Sequence, residues 1–343
     1  MNQEKLSVTE NLIEEDFTDE SQYFIVKNKN VEVIANNNKI TPEEWLTLRR
    51  SSIGGSGASA ILGLSKYATP LSLWADKLYG SPEINNDYVK WGNILEPVIR
   101  SQFKDYLLDA GKIKSRVYES PFMYRSKTHP FMTANIDGIV ITDQGLGGLE
   151  IKTATILQAK DWGADELPDA YYCQVQHYMA VLDLPWFYVV CLLGKKLIHR
   201  FVPRNDVFIY DLVKAEDDFW TNFVEPKVMP APSGMDADED TLKRLNFERT
   251  DNPPADLTGL EQDITEYLAI KQQMKQLEQI EKKIKQDILF SLGNYSTGIC
   301  GDHKVTMKNY QRLSIDTKKL KEKYPEIIKD FERVSDSWRF TVR

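Results

Sequence analysis

The sequence predicts an α/β protein, a central mixed β-sheet flanked by helices, followed by a helical C-terminal extension. Three observations carry that expectation. Strand-like runs cluster between residues 116 and 156 and again between 186 and 204, with one helical stretch between the clusters. Helical segments with recognisable starts fill the text from Thr41 up to the first cluster. Residues 257–292 place apolar side chains at steps of three and four over a length no strand would reach.

Taken in order, residues 1–40 read as an acidic, loosely ordered arm, with apolar patches at 23–26 and 31–34 that suit a short hairpin. A first domain follows over 41–228. Thr41-Pro42-Glu43-Glu44 is a helix start, with an N-cap threonine, proline in the first turn and an acidic pair, and the helix runs to about Arg50. The glycine- and serine-rich stretch 51–65 feeds a short helix, and further helices are expected near 70–79 and 92–108. RVYESPFMYR, FMTANIDGIVITD and GLGGLEIKTATI read as strands, with a hairpin turn at 145–148. A helix over 170–182 precedes the strand pair WFYVVCLLG and KLIHRFVPR, and a helix from Asp206 to about Phe223 closes the domain. Residues 229–256, rich in proline and acid, read as a linker. Beyond it come the 257–292 helix, stopped by Gly293-Asn294, and a small α/β tail to 343, with strand candidates at 297–309 and 337–343 around a lysine-rich helix near 317–331.

Composition bounds the function. With 42% hydrophobic and 27% charged residues, the 343-residue chain has the make-up of an ordinary globular protein. No run approaches the ~18 apolar residues of a membrane-spanning helix, and the acidic start lacks the basic and apolar regions of a signal peptide. A cytoplasmic protein without membrane contact is expected. Cys173, Cys191 and Cys300 show neither zinc nor disulfide spacing, and the four histidines show no metal spacing. The net charge of −8 mildly disfavours nucleic acid as a partner, although placement of the lysines and arginines matters more than their total.

One constellation carries chemistry. Phosphodiester hydrolysis needs an activated water and neutralisation of the charge that builds on phosphorus, and hard divalent cations held by carboxylates meet both needs. Asp137 in NIDGIV and Glu150 in GLEIKTA lie on strands joined by a turn, so folding back brings them together. Lys152, two residues after Glu150, projects from the same strand face, where it can orient a water or stabilise phosphate charge. Ile151 turns into the core and leaves its carbonyl to a metal.

Four blocks in order extend this pattern: LRRSSIGGSGASAILG at 48–63, KWGNILEPVI at 90–99, TANIDGIV with LEIKTA within 133–154, and YYCQVQHYMAV at 171–181. Together they resemble the lambda-exonuclease family, or YqaJ-type viral recombinases, of the PD-(D/E)XK nuclease superfamily. The resemblance implies a restriction-endonuclease-like core over 41–228 and assigns roles. Asp137, Glu150 and the Ile151 carbonyl would hold Mg2+, with Mn2+ as a substitute and two ions per site, while Lys152 assists the water. Glu96 would be the helical acid near the metals. Gln174 and Tyr178 fit the family's Q-x-x-x-Y helix motif, and Gln176 is the alternative glutamine. Arg49 and Ser56 match an anchor for a terminal 5′-phosphate, with Arg50 competing for the role of Arg49. Asn135 stands where the family often has another small polar residue.

The implied activity is 5′-to-3′ digestion of double-stranded DNA ends, leaving 3′ tails for recombination. A phage or prophage origin in a bacterial host, a single-strand annealing partner and a DNA-enclosing homo-oligomeric ring come with the same resemblance. The alternatives are a structure-specific or restriction-like endonuclease of the same fold, and a non-catalytic DNA-binding or assembly protein.

Overall fold

The computed structural model describes residues 23–80, 87–109, 116–163, 166–245, 254–332 and 339–342. The chain divides into two compact units, Met1–Asn246 and Phe247–Arg343.

In the first unit a five-stranded sheet is built from β2 (Arg116–Tyr118), β5 (Gly138–Thr142), β6 (Gly145–Ala154), β7 (Trp186–Leu193) and β8 (Lys196–Pro203), in that spatial order. β6 and β7 run parallel and the other neighbours antiparallel, so the sheet is mixed, as expected. A smaller sheet joins β1 (Val31–Asn36), β3 (Phe122–Ser126) and β4 (Thr133–Asn135). Helices α1 (Pro42–Arg50), α2 (Gly55–Ile61), α3 (Pro70–Tyr79), α4 (Asp87–Asp109), α5 (Asp169–Leu182), α6 (Asp206–Phe219) and α7 (Asp236–Arg244) surround them. Thr41 caps α1 with the reciprocal Thr41–Glu44 capping box, which explains why its start is readable from sequence.

The large sheet is covered on both faces. Ile99, Phe103 and Leu107 of α4 pack on Val140, Leu149, Ile151, Tyr188 and Val190. On the other face Val175, Tyr178 and Met179 of α5 pack with Ile139, Phe187, Val189 and Cys191, and this cluster continues into Tyr124 and Ala134 of the small sheet. Burial on both faces accounts for the unbroken apolar run of β7.

Four sequence expectations are corrected. The two patches of the N-terminal arm form no local hairpin: Val31–Asn36 pairs with β3 and Tyr23 bridges to Glu119, so both pair with later chain rather than with each other; residues 1–22 lie outside the described residues. The stretches RVYESPFMYR and FMTANIDGIVITD each split between the two sheets. The hairpin turn lies at Asp143–Gln144, with Gly145 at φ 93°, one step before the expected glycines. Gly147 and Gly148 sit inside β6 because a Cβ on either would fall 2.1 Å from the rings of Trp186 and Phe187 on the neighbouring strand. Finally, 236–244 of the expected linker is helix α7, docked on α3: Arg244 donates to the Gly80 carbonyl and pairs with Asp76 at 2.9 Å.

The second unit contains α8 (Glu261–Leu292), the hairpin β9 (Thr297–Cys300) and β10 (His303–Thr306), and short helices α9 (Thr317–Lys323) and α10 (Pro325–Lys329). The apolar stripe of α8, including Met274, Leu277 and Ile284, remains about half exposed. Of the 337–343 strand candidate, 339–342 join no ladder and the rest lies outside the described residues.

Candidate active site

The site is set by a crossing of the chain between sheets. β4 ends at Asn135 in the small sheet and β5 starts at Gly138 in the large one, so Asp137 occupies the joint. Pairing of Gly138 with Leu149 brings the next residue, Glu150, opposite Asp137. The Ile151 amide donates to Asp137 Oδ2 at 2.6 Å and locks the two strands at this point.

Glu150 is buried, 4% exposed, on the α5 side of the sheet. Its Oε1 accepts from Lys152 Nζ at 2.6 Å and from Gln174 Nε2 at 2.8 Å, while its Oε2 is buried without a hydrogen-bond partner. Such an orphaned oxygen is costly unless something else completes it. Lys152 also lies over the Tyr171 ring, 4.8 Å from its centroid. Gln174 reaches Tyr178 Oη at 2.9 Å, so the glutamine and tyrosine act as one strut from α5.

Arg100 of α4 organises the other side. It donates through Nε to the Asp137 carbonyl at 2.9 Å, pairs with Glu119 at 3.2 Å and pairs with Glu96 one helical turn earlier. Glu96 is thus brought to the centre. Burial, then the nearby Asp137 charge, pushes its carboxyl up to about 7. Burial, then Asp137, pushes Glu150 up to about 8. Burial also raises Asp137, against the opposing pull of Lys152, the Ile151 amide and Arg100. Burial alone would lower Lys152, but Glu150 and Asp137 outweigh it and hold the ammonium charged. Three carboxyl groups that disfavour each other's ionisation, beside the buried Lys152 ammonium and the Arg100 guanidinium, still leave the centre short of positive charge.

That shortage fits a hard divalent cation. Among the described residues no three His, Cys, Asp or Glu side chains close on one point as a ready-made cage. Magnesium needs none, since it is commonly held by one or two carboxylates with water and substrate phosphate completing the shell. Glu150 Oε2 and Asp137 are oxygen donors of the kind such an ion would take.

A second cluster lies between α1, α2 and α3. Arg49 donates to Ser56 Oγ at 3.2 Å, with its guanidinium 5.0 Å from the Trp45 ring centre. The Arg50 guanidinium instead packs against Gly80, where a Cβ would sit 2.3 Å from its nitrogen. Both arginines line one indentation with Ser56, Gly57, Asp76 and Lys77.

Two sequence alternatives resolve differently. Gln176 donates to the Pro203 carbonyl and accepts from Asn205, which ties α5 to the start of α6 and leaves Gln174 as the glutamine of the centre. The Asn135 amide, oriented with its oxygen toward donors, accepts from Asn37 at 3.3 Å and from Trp45 Nε1 at 3.1 Å, so it braces the tryptophan beside Arg49. Sequence reasoning missed Arg100 and Glu119. The signal for Arg100 was its position four residues after Glu96 on a helix, the spacing of an ion pair.

Gly55 was also missed. A Cβ there would lie 2.7 Å from Gln174 Cγ and 2.8 Å from Tyr178 Cε1. Gly55→Ala should therefore displace the strut, costing about 1–3 kcal/mol of stability and lowering activity more than the melting shift accounts for. Wild-type activity in a folded variant would show that the strut is dispensable.

The fold and site define an α/β protein with a carboxylate–lysine centre where two sheets meet, and a basic pocket beside it. Residues 44–184 match the model of the YqaJ-like viral recombinase domain. The chain is 32% identical to the uncharacterized protein YqaJ of Bacillus subtilis (strain 168) over 321 residues, 92% of this chain and 98% of that protein. It belongs to the YqaJ-like viral recombinase family. Among solved structures it is similar to an alkaline exonuclease (LHK-Exo) from Laribacter hongkongensis, at 21% identity and a TM-score of 0.43, covering 59% of this chain and 97% of that one. It is also similar to a phage-related exonuclease from Haemophilus somnus 129PT, at 12% identity and a TM-score of 0.37, covering 53% and 99%. Among the described residues no helix is long and apolar enough to cross a membrane.

Proposed function

We propose that this protein is a metal-dependent exonuclease that digests double-stranded DNA from its 5′ ends and leaves 3′ single-stranded tails for phage-type recombination. The observation that carries the reading is the buried Glu150 carboxylate, one oxygen held by Lys152 and Gln174 and the other unpartnered, opposite Asp137. Membership of a viral recombinase family supports the recombination setting.

Asp137, Glu150 and the Ile151 carbonyl would hold Mg2+, or Mn2+ in its place, with two ions per site. When bound, the metal would acidify a water and neutralise charge on the phosphate. Lys152 orients that water and donates to the phosphate. Gln174 and Tyr178 keep Glu150 in place, and Arg100 sets the Asp137 backbone and Glu96. Arg49 and Ser56 receive the 5′-phosphate of the strand end. A homo-oligomeric ring around DNA and a single-strand annealing partner complete the reading through the family resemblance.

The test is a time course with Mg2+ on linear duplex DNA labelled at either end, beside covalently closed circles. Loss of label from 5′ ends with circles spared is expected. Cutting of circles would assign an endonuclease instead, and no cutting with any divalent metal would refute catalysis. Arg49→Ala should reduce the preference for 5′-phosphorylated over 5′-hydroxyl ends by roughly 10- to 100-fold, since a hydrogen bond to a charged group contributes about 1.5–3 kcal/mol. Retention of the full preference would remove Arg49 from end recognition.

A further inference from the structure

The basic indentation contains a cation with no role so far. Lys77 of α3 lines it together with Arg49 and Arg50 of α1 and Ser56 and Gly57 of α2. Lys77 Nζ donates to the Arg49 carbonyl at 2.7 Å, which fixes the ammonium under the last turn of α1. Among the described residues, the one acid lining the indentation, Asp76, is already paired with Arg244 of α7 at 2.9 Å. The pocket therefore gathers three cations against one carboxylate that a fourth cation occupies.

We propose that Lys77 is a third cationic ligand of the terminal phosphate, acting with Arg49 and Ser56 to select strand ends that carry a dianionic phosphomonoester. The proposal rests on the end-anchoring reading given above.

The pocket's own groups disfavour charge on this lysine. Burial, then the adjacent Arg49 charge, brings its ammonium down to about 7, with Asp76 only partly opposing. Arg50 lines the same indentation, and the Lys77 charge in turn disfavours the charged form of His177 on α5. A phosphate dianion reverses the balance and favours the protonated amine, so binding draws a proton from solvent above pH 7. Phosphomonoesters lose their second proton near pH ~6, so the dianion is available throughout that range. The sign follows: affinity for a phosphorylated end falls as pH rises above 7, approaching roughly tenfold per pH unit, until Lys77 is neutral even in the complex.

The experiment uses the full-length protein with EDTA, so that no strand is cut. Short duplexes with a 5′-phosphate or a 5′-hydroxyl are compared by fluorescence anisotropy from pH 6.5 to 9.5, the ratio of affinities isolating the phosphate. The wild-type ratio should fall with pH. Lys77→Met should give a smaller, flat ratio, and Lys77→Arg, whose charge is permanent, a large and flat one. Calorimetry of the wild type in two buffers of different ionisation enthalpy should show proton uptake at pH 8 for the phosphorylated duplex only. A folded Lys77→Met that keeps the wild-type ratio and slope overturns the proposal, as does absence of proton uptake. A ratio of one at every pH, unaltered by Arg49→Ala, overturns the anchoring reading itself.

Discussion

Lys152→Ala should lower cleavage of linear duplex DNA by about 100- to 1,000-fold, the usual cost of removing one preorganised charge donor from a reacting centre, while DNA affinity changes little. Lys152 Nζ is held between Glu150 Oε1 and the Tyr171 ring, so its charge is aimed before substrate arrives. Its contribution to the general attraction for DNA is one phosphate contact at most. Single-turnover rates and binding isotherms, taken on the same preparation, separate the two quantities. Undiminished cleavage would place the lysine outside the mechanism, and equal losses in binding and cleavage would assign it to holding DNA.

The second large effect is thermodynamic. Glu150 and Glu96 are pushed up to about 8 and about 7 by burial and by Asp137. Both folded values exceed the ordinary carboxylate range, so the metal-free protein prefers them protonated. Their stabilising contribution is complete below the ordinary carboxylate range and is lost as pH rises through about 7 to 8. On the proposed function a divalent cation would reverse the loss, because it would bind the ionised form and displace protons. Melting temperature without metal should therefore fall between pH 6 and 8.5, and the increase on adding Mg2+ should be larger at pH 8.5 than at pH 6. At a concentration ~100 times the dissociation constant the gain is about 2.7 kcal/mol, or roughly 5–10 °C for a domain of this size. Glu150→Gln should remove most of the Mg2+ response. A shift of equal size at both pH values would show that these carboxyls do not gate metal binding.

Much of this centre was legible because its signals are local. Glu150 and Lys152 share a strand face by the two-residue alternation of β-structure, and the capping box at Thr41 announces α1 within four residues. The strand exchange at Asp137 was not legible. FMTANIDGIVITD reads as one strand, and only long-range pairing of β3 with β1 and β4 reveals that its halves belong to different sheets. The choice between Gln174 and Gln176 needed α5 seated on β6, since both are buried and only the direction of approach separates them. Residues 236–244 of the expected linker are helical for a related reason. Its acidic composition resembles a solvated tether, but Arg244 and Thr241 find partners on distant or earlier turns that composition does not encode.

Asp137 belongs to neither sheet, which gives the centre a mechanical property. Its main chain is held from one side by the strand that ends at Asn135 and from the other by the strand that begins at Gly138, with Arg100 on its carbonyl. The Ile151 amide ties the Asp137 carboxylate to β6, so the small sheet places this acid through its main chain and the large sheet through its side chain, whereas Glu150 and Lys152 sit on the large sheet alone. The alignment of the two bodies is therefore part of the reactive geometry. The small sheet, Val31–Asn36 included, backs the strand that leads into the acid as well as burying surface.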